Sequence, residues 1–302
     1  NTWINCDDCV DNYESTDIYA RMTWDMDENT SMDAKLRYGE VDTSSIVFNA
    51  VFQLPAFEAY LGIPTLYEDV NTHKFDFVSN FPHTNNQESL EFSLKMEKDL
   101  GWANLTAWTL YSDIDNEFSA DGTSGAFGFF FADASCLASL DEIVSAGQGF
   151  SLPSPQYIAT SDPSVPNGLL LGPYTPTRCD GTQYQRRNQD DLSFEVRISS
   201  PSDQAIRWSM GAYALNVNRE VGVNQGTDLG NGVVMAMFDP KGGLNPTEQM
   251  VWDDFSNNVH AFFGSVDIDL TDTIELSLAG RYDKEKRKVH NLVPTNVTST
   301  YI

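Results

Sequence analysis

Every second residue from Asp17 to Asp27 is apolar: Ile18, Ala20, Met22, Trp24 and Met26 alternate with Asp17, Tyr19, Arg21, Thr23, Asp25 and Asp27. A period of two places one set on each face of a β-strand. The pattern returns in Met32, Ala34, Leu36 and Tyr38 after the polar link Glu28-Asn29-Thr30-Ser31, which makes a hairpin. It returns again in Leu90–Met96, Leu192–Ile198, Ile206–Ala214, Phe262–Leu270 and Ile274–Leu278. Between Trp102 and Ser112 the mixture of Thr, Ala and Leu leaves the phase ambiguous. Eight strands in four hairpins are predicted, over about 17–41, 89–112, 192–217 and 259–287.

The spacing of the hairpins constrains the fold more than the strands do. Within a hairpin the link is a few residues; between hairpins it is long, about 42–88, 113–191 and 218–257. A sandwich or soluble barrel turns every 8–12 residues or so. Long structureless loops also count against a compact domain. Short and long links in strict alternation belong to a transmembrane β-barrel, with tight turns on one rim and large extracellular loops on the other. Strands of about ten residues suit a tilted crossing of a bilayer.

Composition excludes the main competitors. With 18 Lys+Arg against 44 Asp+Glu the net charge is −26, the wrong sign for gripping phosphates of a nucleic acid. At 41% hydrophobic and 12% aromatic, the chain is no disordered acidic tail. No run approaches the length of a transmembrane helix. The face opposite the apolar one carries Arg21, Lys35, Arg37, Glu91, Lys95, Glu195, Arg197, Glu275 and Arg281, as a water-filled barrel wall would. Trp24, Tyr38, Trp102, Tyr111, Trp208, Tyr213 and Tyr282 fall near strand ends, where interfacial girdles are expected. A soluble acidic sandwich, used for adhesion or as a surface layer, would tolerate the same charges on its wet face and stays as an alternative.

Two hairpins carry a family resemblance. Leu192-Ser193-Phe194-Glu195-Val196-Arg197-Ile198-Ser199-Ser200-Pro201, continuing to Arg207-Trp208-Ser209-Met210-Gly211-Ala212-Tyr213, resembles a mid-barrel hairpin of TonB-dependent outer-membrane receptors. Phe263-Gly264-Ser265-Val266-Asp267, then Leu276-Ser277-Leu278-Ala279-Gly280-Arg281-Tyr282-Asp283, is similar to the hairpin that follows it. The Arg21–Asp25 hairpin is similar to an earlier repeat. The resemblance implies an all-β fold, about eight strands of a barrel of about 22, in a Gram-negative outer membrane. It also implies a plug domain that contacts the TonB complex, and further strands; neither is visible here, so the chain reads as an internal piece of a longer receptor. The implied activity is uptake of a scarce nutrient: an iron-siderophore, a cobalamin-like molecule or an oligosaccharide. A passive porin is the alternative within the membrane.

The 113–191 connection holds 11 acidic and three basic residues and the cluster Phe127, Phe129, Phe130, Phe131. With Tyr157, Tyr174, Tyr184 and the pair Arg186-Arg187 it offers flat apolar contact and guanidinium forks, the equipment of a ligand-capturing surface. The same phenylalanines can instead be the loop's own small core. Four cysteines in predicted loops fit an oxidising location, and Cys6–Cys9 and Cys136–Cys179 are the expected disulfides. Zinc would need two further ligands beside Cys6 and Cys9. Asp113, Asp115, Glu117 and Asp121 lack the glycine and spacing of a calcium loop. No nucleophile elbow, zinc-protease motif or phosphate-cradling glycine loop occurs, so no enzyme, cofactor or metal is expected. The basic run Arg281, Lys284, Lys286, Arg287, Lys288 climbs the last strand to the rim, where it meets lipopolysaccharide or ligand, or is merely solvated.

Overall fold

The computed structural model describes residues 11–45, 82–121, 182–226 and 234–295, with the short pieces 4–5, 59–60, 71, 78–79, 157–159 and 169–171. Twelve strands are present among them: β1 (Ile4–Asn5), β2 (Tyr13–Asp27), β3 (Thr30–Thr43), β4 (Val78–Ser79), β5 (Thr84–Asp99), β6 (Asn104–Asp121), β7 (Tyr157–Ala159), β8 (Leu169–Leu171), β9 (Thr182–Ser199), β10 (Ile206–Gly226), β11 (Thr247–Thr271) and β12 (Ile274–Asn291). Eight of these form one sheet in the order β12-β11-β10-β9-β6-β5-β3-β2, every pair antiparallel. β1 pairs with β4, and β7 with β8, in two-stranded ribbons.

The hairpin turns lie where turn chemistry put them. At the first, the Asp27 carboxylate accepts from the Asn29 amide at 2.8 Å. Between β5 and β6, Gly101 takes φ +78°, and its amide donates to Asp99 at 2.7 Å, so a side chain here would meet backbone strain. Pro201–Gln204 and Asp272-Thr273 close the other two. The strands run well past the expected hairpins at the opposite end. β10 continues to Gly226 and β11 begins at Thr247, so much of the anticipated 218–257 loop is paired strand. Likewise β6 reaches Asp121 and β9 starts at Thr182, deep inside the anticipated 113–191 loop.

Register sorts the side chains onto two faces across the sheet, with shifts only near strand ends, between Asp25 and Asp27, Asp269 and Thr271, and Gln225 and Gly226. Trp24 pairs with Met32, Met32 with Met96, Met96 with Ala107, Ala107 with Val196, Val196 with Ala212, Ala212 with Phe262 and Phe262 with Tyr282. This apolar face is uncovered. Ile18, Met22, Trp24, Phe194, Met210, Phe262, Leu278 and Tyr282 are all exposed, by 49% to 68%. A soluble monomer seldom leaves more than a few hundred Å² of apolar surface bare in one patch.

The apolar band also drifts. Its last outward apolar residue before the long connections is Ile18 on β2, Tyr38 on β3, Leu90 on β5, Tyr111 on β6, Leu192 on β9, Ala214 on β10, Phe262 on β11 and Tyr282 on β12. Traced through the pairings from Ile18, the residue level with it on β12 is Lys288, six residues beyond Tyr282. The other edge ends at the same offset: Asp27, next to Met26 in the bulge, is level through Thr30 with Gly280, six residues from Ile274. The strands therefore lean against a band seven to nine residues deep, as strands of a barrel must.

Among the described residues the buried apolar cluster lies away from the band. Tyr184, Met237 and Met250 form one small cluster, with Phe238, Trp252 and Val293 packed on it. It holds the strap 234–246 against the extended ends of β9–β11. Asn224 ties the strap down, its amide donating to the carbonyls of Ala236 (3.2 Å) and Met237 (2.9 Å). Gly222 leaves room for it, since a Cβ there would lie 2.2 Å from the Met237 methyl.

Candidate functional site: the polar wall and its rim

The second face is a ladder of matched charges. Arg21 forks onto Asp33 (3.1 and 2.7 Å), and Arg37 reaches Asp17 (2.9 Å) with Glu91 at 3.8 Å. Lys95 pairs with Glu97 (2.7 Å), Arg197 with Glu195 (2.8 Å), Arg281 with Asp283 (2.8 Å) and Arg287 with Glu285 (2.6 Å). Near the short turns Arg207 forks onto Asp269 at 2.7 Å for both bonds and also contacts Glu275. All the charged residues expected on the polar face are on it. Water screens exposed pairs of this kind, so the ladder is better understood as balancing the charge of a polar wall than as a source of stability.

One patch of this wall is aromatic. Phe263 stacks between two guanidinium groups, Arg197 at 5.5 Å and Arg281 at 5.8 Å from its ring centre, and Arg281 also covers Tyr213 at 5.6 Å. Gly211 makes the slot: a Cβ there would lie 2.4 Å from the tip of the Phe263 ring and 2.7 Å from the Val196 carbonyl oxygen. Tyr213, expected in an interfacial girdle, thus faces the polar side. Position near a strand end does not decide face; parity does, and 213 is odd on a strand whose even residues face the apolar side. Trp24, Tyr38, Tyr111, Trp208 and Tyr282 do lie on the apolar face.

The expected ligand-binding residues are only partly brought together. Phe127, Phe129, Phe130, Phe131 and Tyr174 lie outside the described residues, as do Cys6, Cys9, Cys136 and Cys179. Tyr157 begins β7, opposite Leu171. Tyr184, Arg186 and Arg187 are strand residues of β9 rather than loop residues. Tyr184 is buried and donates to Glu117 at 2.9 Å. Arg186 bridges Glu117 (3.4 Å) and Glu220 (3.9 Å), and Glu220 accepts from the Trp252 indole at 2.7 Å. Arg187 belongs to the opposite face and contacts Gln185. The two arginines therefore do not form a pair, because neighbours in a strand point apart.

On the apolar-face side above the band, the rim is acidic from β3 to β9: Glu40, Glu88, Asp113, Asp115, Asp190. Burial, with Asp113 and Glu88 nearby, pushes the Asp115 carboxyl above the usual range, with Arg186 opposing and Glu117 adding to it. No cluster of three or more metal-ligating side chains exists among the described residues. The arrangement can bind and orient charged or aromatic groups. Sequence reasoning missed the Phe263 stack, whose only signal was an apolar residue out of phase beside Gly264.

No protein-family model matches the chain, and no curated protein does. Solved structures do. The siderophore receptor PiuA from Acinetobacter baumannii superposes with a TM-score of 0.54 at 12% identity, over 94% of this chain and 37% of that one. FpvAI in its complex with pyocin S2 gives 0.50 at 13% identity, over 96% of this chain and 33% of that one. The chain thus spans about a third of the length of the structures it matches. At such identities the likeness concerns the fold: eight antiparallel strands in one sheet, matching the barrel portion of TonB-dependent receptors.

Proposed function

We propose that the chain is part of the barrel of a TonB-dependent receptor in a Gram-negative outer membrane, and that this receptor takes up a scarce nutrient captured at its long connections. The observation that carries the reading is the uncovered apolar band, which crosses all eight strands opposite a charge-matched wall. Only lipid leaves such a face bare without aggregation. A band nine residues long on β2 (Ile18–Met26) and on β12 (Ile274–Tyr282) is the length a tilted strand needs to cross.

The short turns then face the periplasm and the opposite ends of the strands face outward. Ligand classes remain an iron-siderophore, a cobalamin-like molecule or an oligosaccharide; the siderophore class gains support from the likeness to PiuA. Energy would come through a plug and the TonB complex, and the ion-paired wall would form a side of the path. Anionic and aromatic groups on a ligand would find partners at the Arg197–Phe263–Arg281 patch.

The test is fractionation followed by uptake in the full-length protein. Recovery only in the detergent-extracted outer-membrane fraction is expected, and recovery in the aqueous phase after detergent-free lysis refutes the membrane reading. Radiolabelled ferric-siderophore uptake that persists when the proton gradient is collapsed would refute energised transport and favour a passive pore.

A further inference from the structure

β12 divides its cations by face. Inward, Arg281 lies against Asp283 at 2.8 Å and Arg287 against Glu285 at 2.6 Å. Outward, Lys284, Lys286 and Lys288 make no ion pair with any described residue. Their neighbours across the strand are His260, Asn258 and Ser256, none of them a carboxylate. The outward carboxylate of β11, Asp254, stands opposite His290, one outward position above Lys288. In a chain with 44 acids and 18 cations, three unmatched lysines in a row run against what composition alone would arrange.

Their height is as particular as their isolation. Lys284 is the first outward residue after Tyr282, the last apolar residue of the band on this strand, and Phe262 is the partner of Tyr282. Successive outward positions are about 7 Å apart, so the three ammonium groups climb from the aromatic edge through a layer about as thick as a headgroup region. Lys284 and Lys286 stand on an open sheet face, and Lys288 stands at the edge of an open hollow it shares with Asp190 and Asp254; the row suits a planar array of phosphates better than one free ion.

We propose that Lys284, Lys286 and Lys288 form a comb that binds the phosphates of anionic outer-leaflet lipid headgroups against the barrel's outer wall. The proposal rests on the membrane reading above and adds to it a lipid-facing site, separate from the nutrient path on the other face. The comb would fix one side of the barrel at a set depth and orientation, Tyr282 and Phe262 packing the acyl boundary while the lysines hold the charge.

The test uses the full-length protein in detergent, titrated with bis-phosphorylated lipid A, with phosphatidylcholine and with inorganic phosphate, and read by native mass spectrometry. Wild type is expected to retain lipid A, and the triple variant K284Q/K286Q/K288Q to lose it on the order of a hundredfold, at about fivefold per lysine near an anionic surface. The variant K284R/K286R/K288R, which keeps the charge, is expected to bind as wild type does and controls for folding. Equal retention by the glutamine variant, or equal binding of phosphatidylcholine, overturns the proposal. Displacement of lipid A by inorganic phosphate at matched phosphate concentration overturns the lipid as the source. A wild-type protein that needs no detergent to stay in solution would fell the membrane reading itself, an outcome distinct from any of these.

Discussion

The lean of the strands against the apolar band makes a prediction with a number in it. The band slips six residues between β2 and β12, across seven strand-to-strand steps. At about 3.4 Å per residue and about 4.8 Å per step, that is about 20 Å over about 34 Å, a tilt of about 30°. On the proposed membrane reading the midplane crosses β2 at Met22 and β12 at Leu278, although the residue level with Met22 through the pairings is Lys284. An arginine placed at each outward position in turn should cost about 2–4 kcal/mol at Met22 and at Leu278, falling to about 0–1 at Ile18, Met26, Ile274 and Tyr282. The assay is equilibrium unfolding of the full-length protein from lipid vesicles, followed by tryptophan fluorescence. Peaks in level with each other along the hydrogen-bond register, or a flat profile on either strand, would refute both the tilt and the bilayer.

Gly211→Ala should destabilise by about 1–3 kcal/mol, because the added methyl meets the Phe263 ring and the Val196 carbonyl; a double-mutant cycle with Phe263→Ala should recover part of that cost, and additivity would count against the slot. Asp115→Asn should stabilise the rim. Its folded carboxyl sits above the ordinary range, so stability is intact below the unfolded value and falls as pH rises through the folded one. The variant should match wild type in acid and exceed it at neutral pH, and melting curves that coincide at neutral pH would refute this. Met237→Ala, at a nearly buried site, should loosen the 234–246 strap, read as faster limited proteolysis there with the sheet intact. Non-reducing peptide maps should join Cys6 to Cys9 and Cys136 to Cys179; a Cys6–Cys136 peptide would overturn that pairing.

What was legible in the sequence was the contrast between an apolar face and a polar one. Where the two faces differ in kind, alternation is strict, and β2, β3, β5, β9 and β12 could be phased residue by residue. β6 could not, because Trp108, Leu110 and Ile114 sit on the polar face and erase the contrast with Leu105, Ala107 and Thr109. Strand ends failed for a related reason. Beyond the band both faces are wet, so Thr182–Asp191 reads as loop although it is hydrogen-bonded throughout to β10. The candidate ligand residues fared by the same rule: Tyr184 and Arg186 were singled out by residue type, but only register could show that Arg187 faces the other way.

Those unread extensions change the scale of the object. From Ala214 to Gly226 the chain of β10 advances 12 residues past the band, about 41 Å of strand or about 35 Å of height at the inferred lean. In the proposed bilayer setting the mouth of such a wall would open far above the headgroups, like a chimney standing clear of its roof. If the chain serves the uptake proposed above, cargo seized at the top would have a long charged descent before it drew level with the lipid, and arrival and entry would be separate events, each open to being slowed independently. A substitution along that shaft, on residues that touch neither lipid nor loop, would alter the transit time while leaving capture untouched.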